Sequence, residues 1–431
     1  MACIKVENLT LGEVVRILRE SKEISQIDFG GMVGLSNSAI SVRENGNQAC
    51  TPKEFSEIRV IFGIENVPLF EDELKSYKER LRIWNNLIDN RELEEAKKWQ
   101  DELSAINRLP FDDDHIYEAK TLYNLISARP LLGDNKVEEA EAILAQVKTG
   151  LDRATEEVLF RYHYIQGKFK AKNEDYEEAI QSFLKARDLW RENFDNGRWL
   201  NYNIHYCTRK LGWLAYSAMY LAEAREMHSS TRSILSDLEV DIFLAGNDIS
   251  FGFFKRAKKV LAKSLLTAME KEDKLQICNV YLSYAYLYCR LEDWSTTLSY
   301  ANKALEYIEH GSEHHLYAMY QTARALVGQG NISACTKLLS ESKVLAKNNG
   351  EYTTLFKAVE CLLTIKSKKS QEYLAEVAIP YLSKSRPITA LDYCQQVKKE
   401  YEAKYGNDKR LLHILRIETD IYQKMHKGGE I

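Results

Sequence analysis

The fold is decided by residues 162–186, which read YHYIQGKFKAKNEDYEEAIQSFLKA. In this stretch Gly167 is followed by Ala179, Phe183 and Ala186, at offsets of 12, 16 and 19 residues. Small side chains that recur at fixed offsets are typical of helix pairs, because two helices can cross closely only where both side chains are small. The stretch therefore predicts a pair of packed helices.

The same spacing recurs along the chain after residue 70. The stretch closely resembles a tetratricopeptide repeat, and the further copies are Ala128 with Ala140, Gly212 with Ala224, Ala245 with Ala257, Ala285 with Ala304 around Trp294, and Ala323 with Leu339. The starts at 128, 167, 212, 245, 285 and 323 are 39, 45, 33, 40 and 38 residues apart. Because the family repeat has about 34 residues, this spread predicts longer helices or loops. Less well matched pairs are expected near Ala96 and over 351–383 and 387–425.

The resemblance implies a right-handed α-solenoid whose first helices line a concave channel, a surface suited to an extended peptide or a partner helix. Aromatic and Arg side chains are enriched at binding hot spots, and Asn can hold a peptide backbone through both its donor and its acceptor. Arg161, Tyr164 and Lys168 are predicted to face the channel. The residues predicted to bind a peptide there are Tyr206, Arg209, Trp213, Tyr216, Asn279, Tyr286, Arg290, Tyr317, Tyr320 and Arg324.

The N-terminal part of the chain has another pattern. Residues 9–46 read LTLGEVVRILRESKEISQIDFGGMVGLSNSAISVRENG, which predicts three short helices in succession. Ser25 and Ser36 are candidate N-caps for the second and third helices, and Gly34 suits the tight turn between them. Two short helices joined by a turn that contains glycine predict a helix-turn-helix.

This segment, over residues 8–66, is similar to the phage-repressor class of helix-turn-helix domains, which includes the xenobiotic-response-element (XRE) family. The resemblance implies that the third helix reads DNA, and that Arg19 pairs with Glu44 to tie the first helix to the third. Asn can bind adenine, Ser a base edge or a phosphate, and Val a thymine methyl group. The implied DNA-binding residues are Gln26, Ser36, Asn37, Ser38, Ser41 and Val42.

The charge balance of this segment departs from the family. Residues 1–70 hold seven Lys or Arg against nine Asp or Glu, so few phosphates would be neutralised and a monomer would bind DNA weakly. Useful affinity would then need a homodimer that reads two half-sites about one helical turn apart on a double-stranded operator.

The composition limits the other classes of protein. The 431 residues are 45% hydrophobic and 28% charged with 6 Pro, which favours a helical globular protein. Neither an apolar run of about 18 residues nor a signal peptide is found, so a cytoplasmic protein without membrane contact is expected. The eight scattered cysteines predict reduced thiols, and no metal site, cofactor site or enzyme motif is found.

The combined architecture predicts an all-α chain with a helix-turn-helix domain at 8–66 and a tetratricopeptide-like domain at 71–431. It resembles the peptide-pheromone-responsive transcriptional regulators of Gram-positive bacteria and their phages, the Rgg/PlcR/NprR/PrgX/Rap-like group. The resemblance implies quorum sensing, with a short signalling peptide in the repeat channel controlling DNA binding. Two alternatives stay open: an adaptor that sequesters a protein partner such as a response regulator, and a dimeric regulator without a ligand.

Overall fold

The structure is a computed structural model that describes residues 9–89, 92–110, 114–191, 197–226, 234–347, 349–402 and 409–425. Every regular element in these ranges is helical, as the sequence predicts. Residue 8 of the predicted first domain and residues 426–431 of the predicted second domain lie outside the described residues. The chain divides into two compact units, Met1–Asp195 and Asn196–Ile431.

The first unit begins with four short helices and continues with longer helix pairs. The helices are α1 (Leu11–Ser21), α2 (Gln26–Val33), α3 (Asn37–Glu44), α4 (Pro52–Phe62), α5 (Glu71–Asp89), α6 (Leu93–Leu103), α7 (Asp114–Gly133), α8 (Val137–Lys148), α9 (Glu156–Lys172) and α10 (Tyr176–Leu189). Short 3₁₀ turns follow α6 at Ser104–Arg108 and α8 at Leu151–Arg153.

Ser and Thr side chains determine where the short helices begin. The Thr10 hydroxyl accepts from the Glu13 amide, and the Glu13 carboxylate accepts from the Thr10 amide, which makes a capping box at α1. The Ser25 and Ser36 hydroxyls each accept from the backbone amide three residues further on, which caps α2 and α3 without the second bond of a capping box; each cap contributes about 1 kcal/mol. Between them Gly34 takes a left-handed φ of 69°, which glycine adopts without steric cost. These residues place α2 and α3 around a tight turn.

The four short helices are tied to the helix pairs that follow them. Arg59 in α4 forms an ion pair with Glu73 in α5 and donates to the carbonyl of Val67 in the connecting segment. The Nε2 atom of His115 in α7 lies 3.1 Å from the carbonyl oxygen of Leu69. The first compact unit is therefore larger than residues 8–66, and the division into domains 8–66 and 71–431 stays a prediction.

The second unit consists of further helix pairs. Its helices are α11 (Gly197–Lys210), α12 (Leu214–Glu226), α13 (Ile234–Ser250), α14 (Phe254–Glu270), α15 (Lys274–Arg290), α16 (Trp294–Leu305), α17 (Glu313–Gly328), α18 (Ile332–Leu345), α19 (Gly350–Leu363), α20 (Lys368–Tyr373), α21 (Ile379–Ser385), α22 (Pro387–Glu402) and α23 (Lys409–Met425). A π-helical turn at Leu374–Ala378 joins α20 to α21. The first helices of neighbouring pairs pack side by side, α13 on α15, α15 on α17 and α17 on α19.

Helix crossings within the pairs fall at one fixed offset of 12 residues. In α9–α10 a Cβ added at Gly167 would lie 2.6 Å from Phe183 Cε1, so this crossing requires glycine. Its partner Ala179 is fully buried. The fully buried residues at the same two positions of other pairs are Ala128 with Ala140, His205 with Ser217, Ala245 with Ala257, Ala285 with Thr297, and Ala323 with Cys335.

The repeat register predicted at Gly212 is wrong. Gly212 lies in the turn between α11 and α12 with a φ of 77°, and His205 and Ser217 occupy the crossing instead, with Nδ1 and Oγ 2.9 Å apart. The starts therefore fall at 128, 167, 205, 245, 285 and 323, which are 39, 38, 40, 40 and 38 residues apart. The repeats are nearly uniform in length, and the predicted irregularity disappears.

The cysteines in the described residues are free thiols in buried positions; Cys3 lies outside those residues. Burial raises the pKa of the Cys207 and Cys278 thiols to about 12. Among the described residues, no group of three or more His, Cys, Asp or Glu side chains is placed to hold a metal ion. No described helix is long and apolar enough to cross a membrane.

Candidate functional site

The third helix, α3, has one buried and one exposed face. Ile40 is 2% exposed and anchors the helix in the core of the first unit. Of the residues predicted to read DNA, Asn37, Ser38 and Val42 are exposed and Ser41 is half-buried. Ser36 begins the helix, and its Oγ lies 3.0 Å from Ser38 Oγ. The predicted residues thus share an accessible polar surface near the start of α3.

Behind this surface, a buried ion pair joins α1 to α3. Arg19 Nε and Nη2 donate to Glu44 Oε1 and Oε2 at 2.7 and 2.9 Å, and this bonding raises the pKa of Arg19. The Gln26 amide donates to Glu44 Oε2 at 2.8 Å, which adds the start of α2 to the same cluster. Since this amide already donates to Glu44, a phosphate contact by Gln26 stays a prediction.

The surface around α3 has little excess positive charge. Arg43, also on α3, forms an ion pair with Glu54 at 2.8 Å, and the seven basic residues of positions 1–70 face nine acidic ones. Phosphate attraction by bulk charge is therefore weak here.

The second unit contains a groove of about 410 Å³ on the first helices of successive pairs. Side chains of α11, α13, α15, α17 and α19 contribute to it, together with one residue that follows α21. The lining residues are Tyr206, Arg209, Lys210, Ile242, Phe243, Gly246, Gln276, Asn279, Leu282, Ser283, Tyr286, Glu313, His314, Tyr317, Tyr352 and Arg386. An adjoining cavity of about 230 Å³ shares Arg209 and Arg386 and extends to Pro387 at the start of α22.

Five of the residues predicted to bind a peptide line this groove: Tyr206, Arg209, Asn279, Tyr286 and Tyr317. Sequence reasoning missed most of their neighbours, although helical spacing could have found several. On α15, positions 276, 279, 283 and 286 are three or four residues apart and so share one helix face. Tyr352 lies on α19 and Arg386 in the link between α21 and α22. This part of the chain lacks a clear repeat pattern, so no sequence signal pointed to them.

Two predicted residues do not line the groove, and their assignment is corrected here. Trp213 lies in the turn before α12, and Tyr216 belongs to α12, the second helix of its pair. Tyr216 is 9% exposed and packs against Trp213 and Tyr220, with ring centroids 6.3 and 6.5 Å apart. The cause is the register error at Gly212, which assigned both residues to a first helix.

Arg290, Tyr320 and Arg324 also do not line the groove, contrary to the prediction. Arg324 Nη1 donates to Tyr320 Oη at 3.1 Å. The guanidinium groups of Arg290 and Arg324 lie 4.0 and 3.7 Å from the Asp392 carboxylate. The Tyr320 and Tyr393 hydroxyl oxygens are 3.4 Å apart. These side chains hold α22 against α15 and α17, because a carboxylate on α22 attracts both cations.

Of the three earlier residues predicted to face a channel, Arg161 and Tyr164 are buried in the first unit and Lys168 is half-buried. Arg161 is 3% exposed and pairs with Glu157 at 3.4 Å, and Tyr164 is 2% exposed with its ring 6.0 Å from that of Phe183. Burial lowers the pKa of Lys168 to about 8, and the charge of a nearby arginine adds to this effect. The buried contacts of Arg161 and Tyr164 correspond to packing within the unit, so their assignment to an open channel is wrong.

The groove combines aromatic rings with amide side chains. Asn279 Nδ2 donates to Gln276 Oε1 at 3.2 Å, and Ser283 Oγ donates to the carbonyl of Asn279 at 2.8 Å. These bonds orient a row of polar groups along α15. Amide side chains offer both a donor and an acceptor, so the row can bond an extended main chain.

Two of the charged side chains that line the groove are arginines. Arg386 Nε donates to Glu351 Oε1 at 2.6 Å, and its guanidinium lies 5.5 Å from the Tyr317 ring. Arg209 donates to Asn247 Oδ1 instead of a carboxylate. Desolvation by burial lowers the pKa of Arg209. The two cations therefore have different surroundings: one is neutralised and the other is not.

The fold and the groove define an all-helical repeat protein with a ligand-sized groove on the first helices of its repeats. No protein-family model matches the chain. In sequence it is similar to the transcriptional activator NprA of Geobacillus stearothermophilus, with 21% identity over 398 residues, which cover 86% of this chain and 93% of that protein.

Solved structures are similar to the chain over most of its length. One is a Rap protein complexed with competence and sporulation factor, with a TM-score of 0.68 and 15% identity over 81% of this chain and 98% of that chain. Another is NprR in complex with its cognate peptide NprX, with a TM-score of 0.65 and 15% identity over 80% of this chain and 99% of that chain. The chain therefore has the fold of a Rap/NprR-like group, which confirms the predicted all-α, tetratricopeptide-like class.

Proposed function

We propose that this protein is a DNA-binding transcriptional regulator that is controlled by a short signalling peptide bound in the groove of its second unit. The observation that carries the proposal is the groove itself, where aromatic, amide and cationic side chains from five successive first helices line one concave surface. The proposed role is binding and switching rather than catalysis, and the active form is a homodimer.

The chemistry of the groove favours an extended peptide over a compact metabolite. Tyr206, Tyr286 and Tyr317 offer flat apolar surfaces, and Gln276 with Asn279 offers paired donors and acceptors for a main chain. Two solved relatives that share the fold are complexes, one with competence and sporulation factor and one with the cognate peptide NprX. Their ligands support a peptide as the occupant here.

The DNA-binding part of the proposal rests on the surface of α3. Asn37 and Ser38 are exposed at its start, where side chains of a recognition helix meet base edges in the major groove. The relative with 21% identity is a transcriptional activator, which supports the same role.

A groove lined by several repeats gives a peptide the means to act as a switch. Each repeat packs on its neighbours, so a ligand that contacts several repeats can favour one arrangement of the array over another. Moving a two-state equilibrium from 1:99 to 99:1 requires about 5.5 kcal/mol of differential binding, a quantity within reach of a peptide that contacts five helices.

The DNA-binding part is tested by fluorescence anisotropy with DNA from the region upstream of the gene. We expect Asn37→Ala to weaken specific binding about tenfold or more, because a bidentate Asn contact with adenine contributes about 1–3 kcal/mol. Gln329→Ala, an exposed amide of the second unit, is the control and should bind normally. Unchanged affinity of Asn37→Ala for the cognate site would remove Asn37 from the reading surface.

The peptide-binding part is tested in the same assay with short peptides encoded beside the gene. A peptide that changes DNA affinity in the wild type should have no effect on Asn279→Ala, since this variant loses an amide from the α15 row while DNA binding is retained. A normal response of Asn279→Ala would show that the ligand binds elsewhere. Tight DNA binding that no peptide alters would favour a ligand-independent dimeric regulator.

One observation favours a second candidate function, a repeat adaptor that sequesters a protein partner such as a response regulator. The N-terminal segment has more acidic than basic residues, which is unfavourable for contact with phosphates. Absence of DNA binding under all conditions, together with capture of a defined response regulator by the purified chain, would favour this role.

A further inference from the structure

Arg209 is a half-buried cation without an acidic partner in the described part of the second unit. Its Nη1 donates to the neutral side chain of Asn247, and the neighbouring groups that act on its charge are the hydroxyls of Tyr286 and Tyr317 and the like charge of Arg386. A desolvated charge that lacks a counter-charge is costly to keep in a folded protein. A ligand that brings a negative charge would offset this cost.

The charges that line the groove also favour a negatively charged ligand. Arg386 is neutralised by Glu351 at 2.6 Å, whereas Arg209 and Lys210 form no ion pair with a carboxylate among the described residues. Glu313 also lines the groove. Arg209 and Lys210 lie on one helix, α11, next to each other. The α11 side of the groove therefore attracts an anionic group.

A buried network holds the Arg209 guanidinium in place. Asn247 is 2% exposed, accepts from Arg209 and donates through Nδ2 to Ser217 Oγ at 3.2 Å. Ser217 Oγ in turn lies 2.9 Å from His205 Nδ1. On the groove side, Gly246 has no side chain, and a Cβ there would lie 3.6 Å from Arg209 Nη2. The guanidinium is thus fixed from behind and left with space in front.

We propose that Arg209 forms a carboxylate-binding subsite and that the ligand is a peptide which presents a carboxylate to it, with Asn247 as the positioning residue. This inference rests on the proposed function. A planar guanidinium can bind a carboxylate through two parallel hydrogen bonds, which gives both strength and orientation. The carboxylate comes either from the C-terminus of the peptide or from an Asp or Glu side chain.

The test uses three synthetic libraries of short peptides with randomised sequence: one with free C-termini, one with amidated C-termini, and one that is amidated and lacks Asp and Glu. Peptides retained by the full-length chain are identified by mass spectrometry, and their affinities are measured. We expect retained peptides to carry a carboxylate, and Arg209→Gln to weaken their binding at least tenfold. Arg225→Gln, an exposed arginine of α12 that pairs with Asp241, is the matched control and should bind normally.

The variant Asn247→Asp tests whether Arg209 binds the ligand or only supports folding. The new carboxylate would form an ion pair with the Arg209 guanidinium on the side away from the groove and neutralise its charge. This variant should therefore melt at the same or a higher temperature than the wild type. It should nevertheless bind carboxylate peptides at least tenfold more weakly. Asn247→Asp that binds these peptides as tightly as the wild type would overturn the proposal.

The three libraries distinguish the two possible sources of the carboxylate, and they separate failure of the subsite from failure of the proposed function. Loss of binding on amidation alone identifies the C-terminal carboxylate, and loss only in the library without acidic residues identifies a side chain; both outcomes support the subsite. Equal retention of peptides from all three libraries overturns the subsite but leaves peptide control intact. Retention from none of them overturns both the subsite and the proposed function.

Discussion

His205 occupies a helix crossing that other repeats give to glycine or alanine. It is fully buried and hydrogen-bonded to Ser217. Burial lowers its pKa to about 3, and the charge of Arg209 acts in the same direction. The folded protein therefore holds this imidazole neutral over a pH range in which the unfolded chain takes up a proton.

This difference predicts a pH-dependent loss of stability. Above the usual pKa of 6.5 both states are neutral at this residue, whereas below it only the unfolded state is protonated, so the free energy of unfolding falls as the pH falls. By about pH 5 the loss from His205 amounts to about 2 kcal/mol. Urea unfolding of His205→Gln at neutral pH and near pH 5 should show a correspondingly smaller loss. His413→Gln, an exposed histidine of α23, should behave like the wild type, and an unchanged loss in His205→Gln would contradict the assignment.

At the scale of elements, Arg19 and Glu44 join α1 and α3 through two hydrogen bonds while both side chains are buried, 7% and 1% exposed. Removing one partner leaves a buried charge without compensation. We expect Glu44→Met and Arg19→Met each to lower the stability of the short helices by about 3–5 kcal/mol. The double variant Arg19→Met/Glu44→Met should lose much less than the sum of the two.

This cycle can be measured by hydrogen exchange of α1 to α3 in the full-length chain, with urea unfolding as a second readout. Arg43→Met is the control, since its ion pair with Glu54 is partly exposed and such pairs contribute about 1 kcal/mol or less. Strictly additive losses in the double variant would show that the two side chains do not act as a pair.

The elements also show how far sequence reasoning reaches. The caps at Ser25 and Ser36 and the crossing of Gly167 with Ala179 depend on local chemistry, and the sequence predicts them correctly. The crossing of His205 with Ser217 was missed because two polar residues take a position that small residues usually fill. Their fit depends on a hydrogen bond between helices, which residue spacing does not reveal.

At the scale of the whole molecule, the division into two compact units predicts where a ligand makes direct contact. The lining residues of the groove all belong to Asn196–Ile431. A peptide that alters DNA binding, synthesised with a photoreactive side chain, should therefore cross-link to this unit. Cross-links within α1 to α10 would show that the peptide binds outside the groove. A scrambled peptide of the same composition is the control.

By itself the sequence determined the all-helical class, the repeated helix pairs and the polar surface of α3, because these follow from periodicity, small residues at fixed offsets and capping chemistry, all of which are local along the chain. Only the tertiary structure decided which predicted channel residues meet. It kept Asn279 and Tyr286 in the groove, turned Arg324 toward Asp392, and added Arg386 from the link between α21 and α22. The physical reason is that a groove is formed by side chains from several helices, and contacts between distant helices depend on packing and charge pairing that no local pattern encodes.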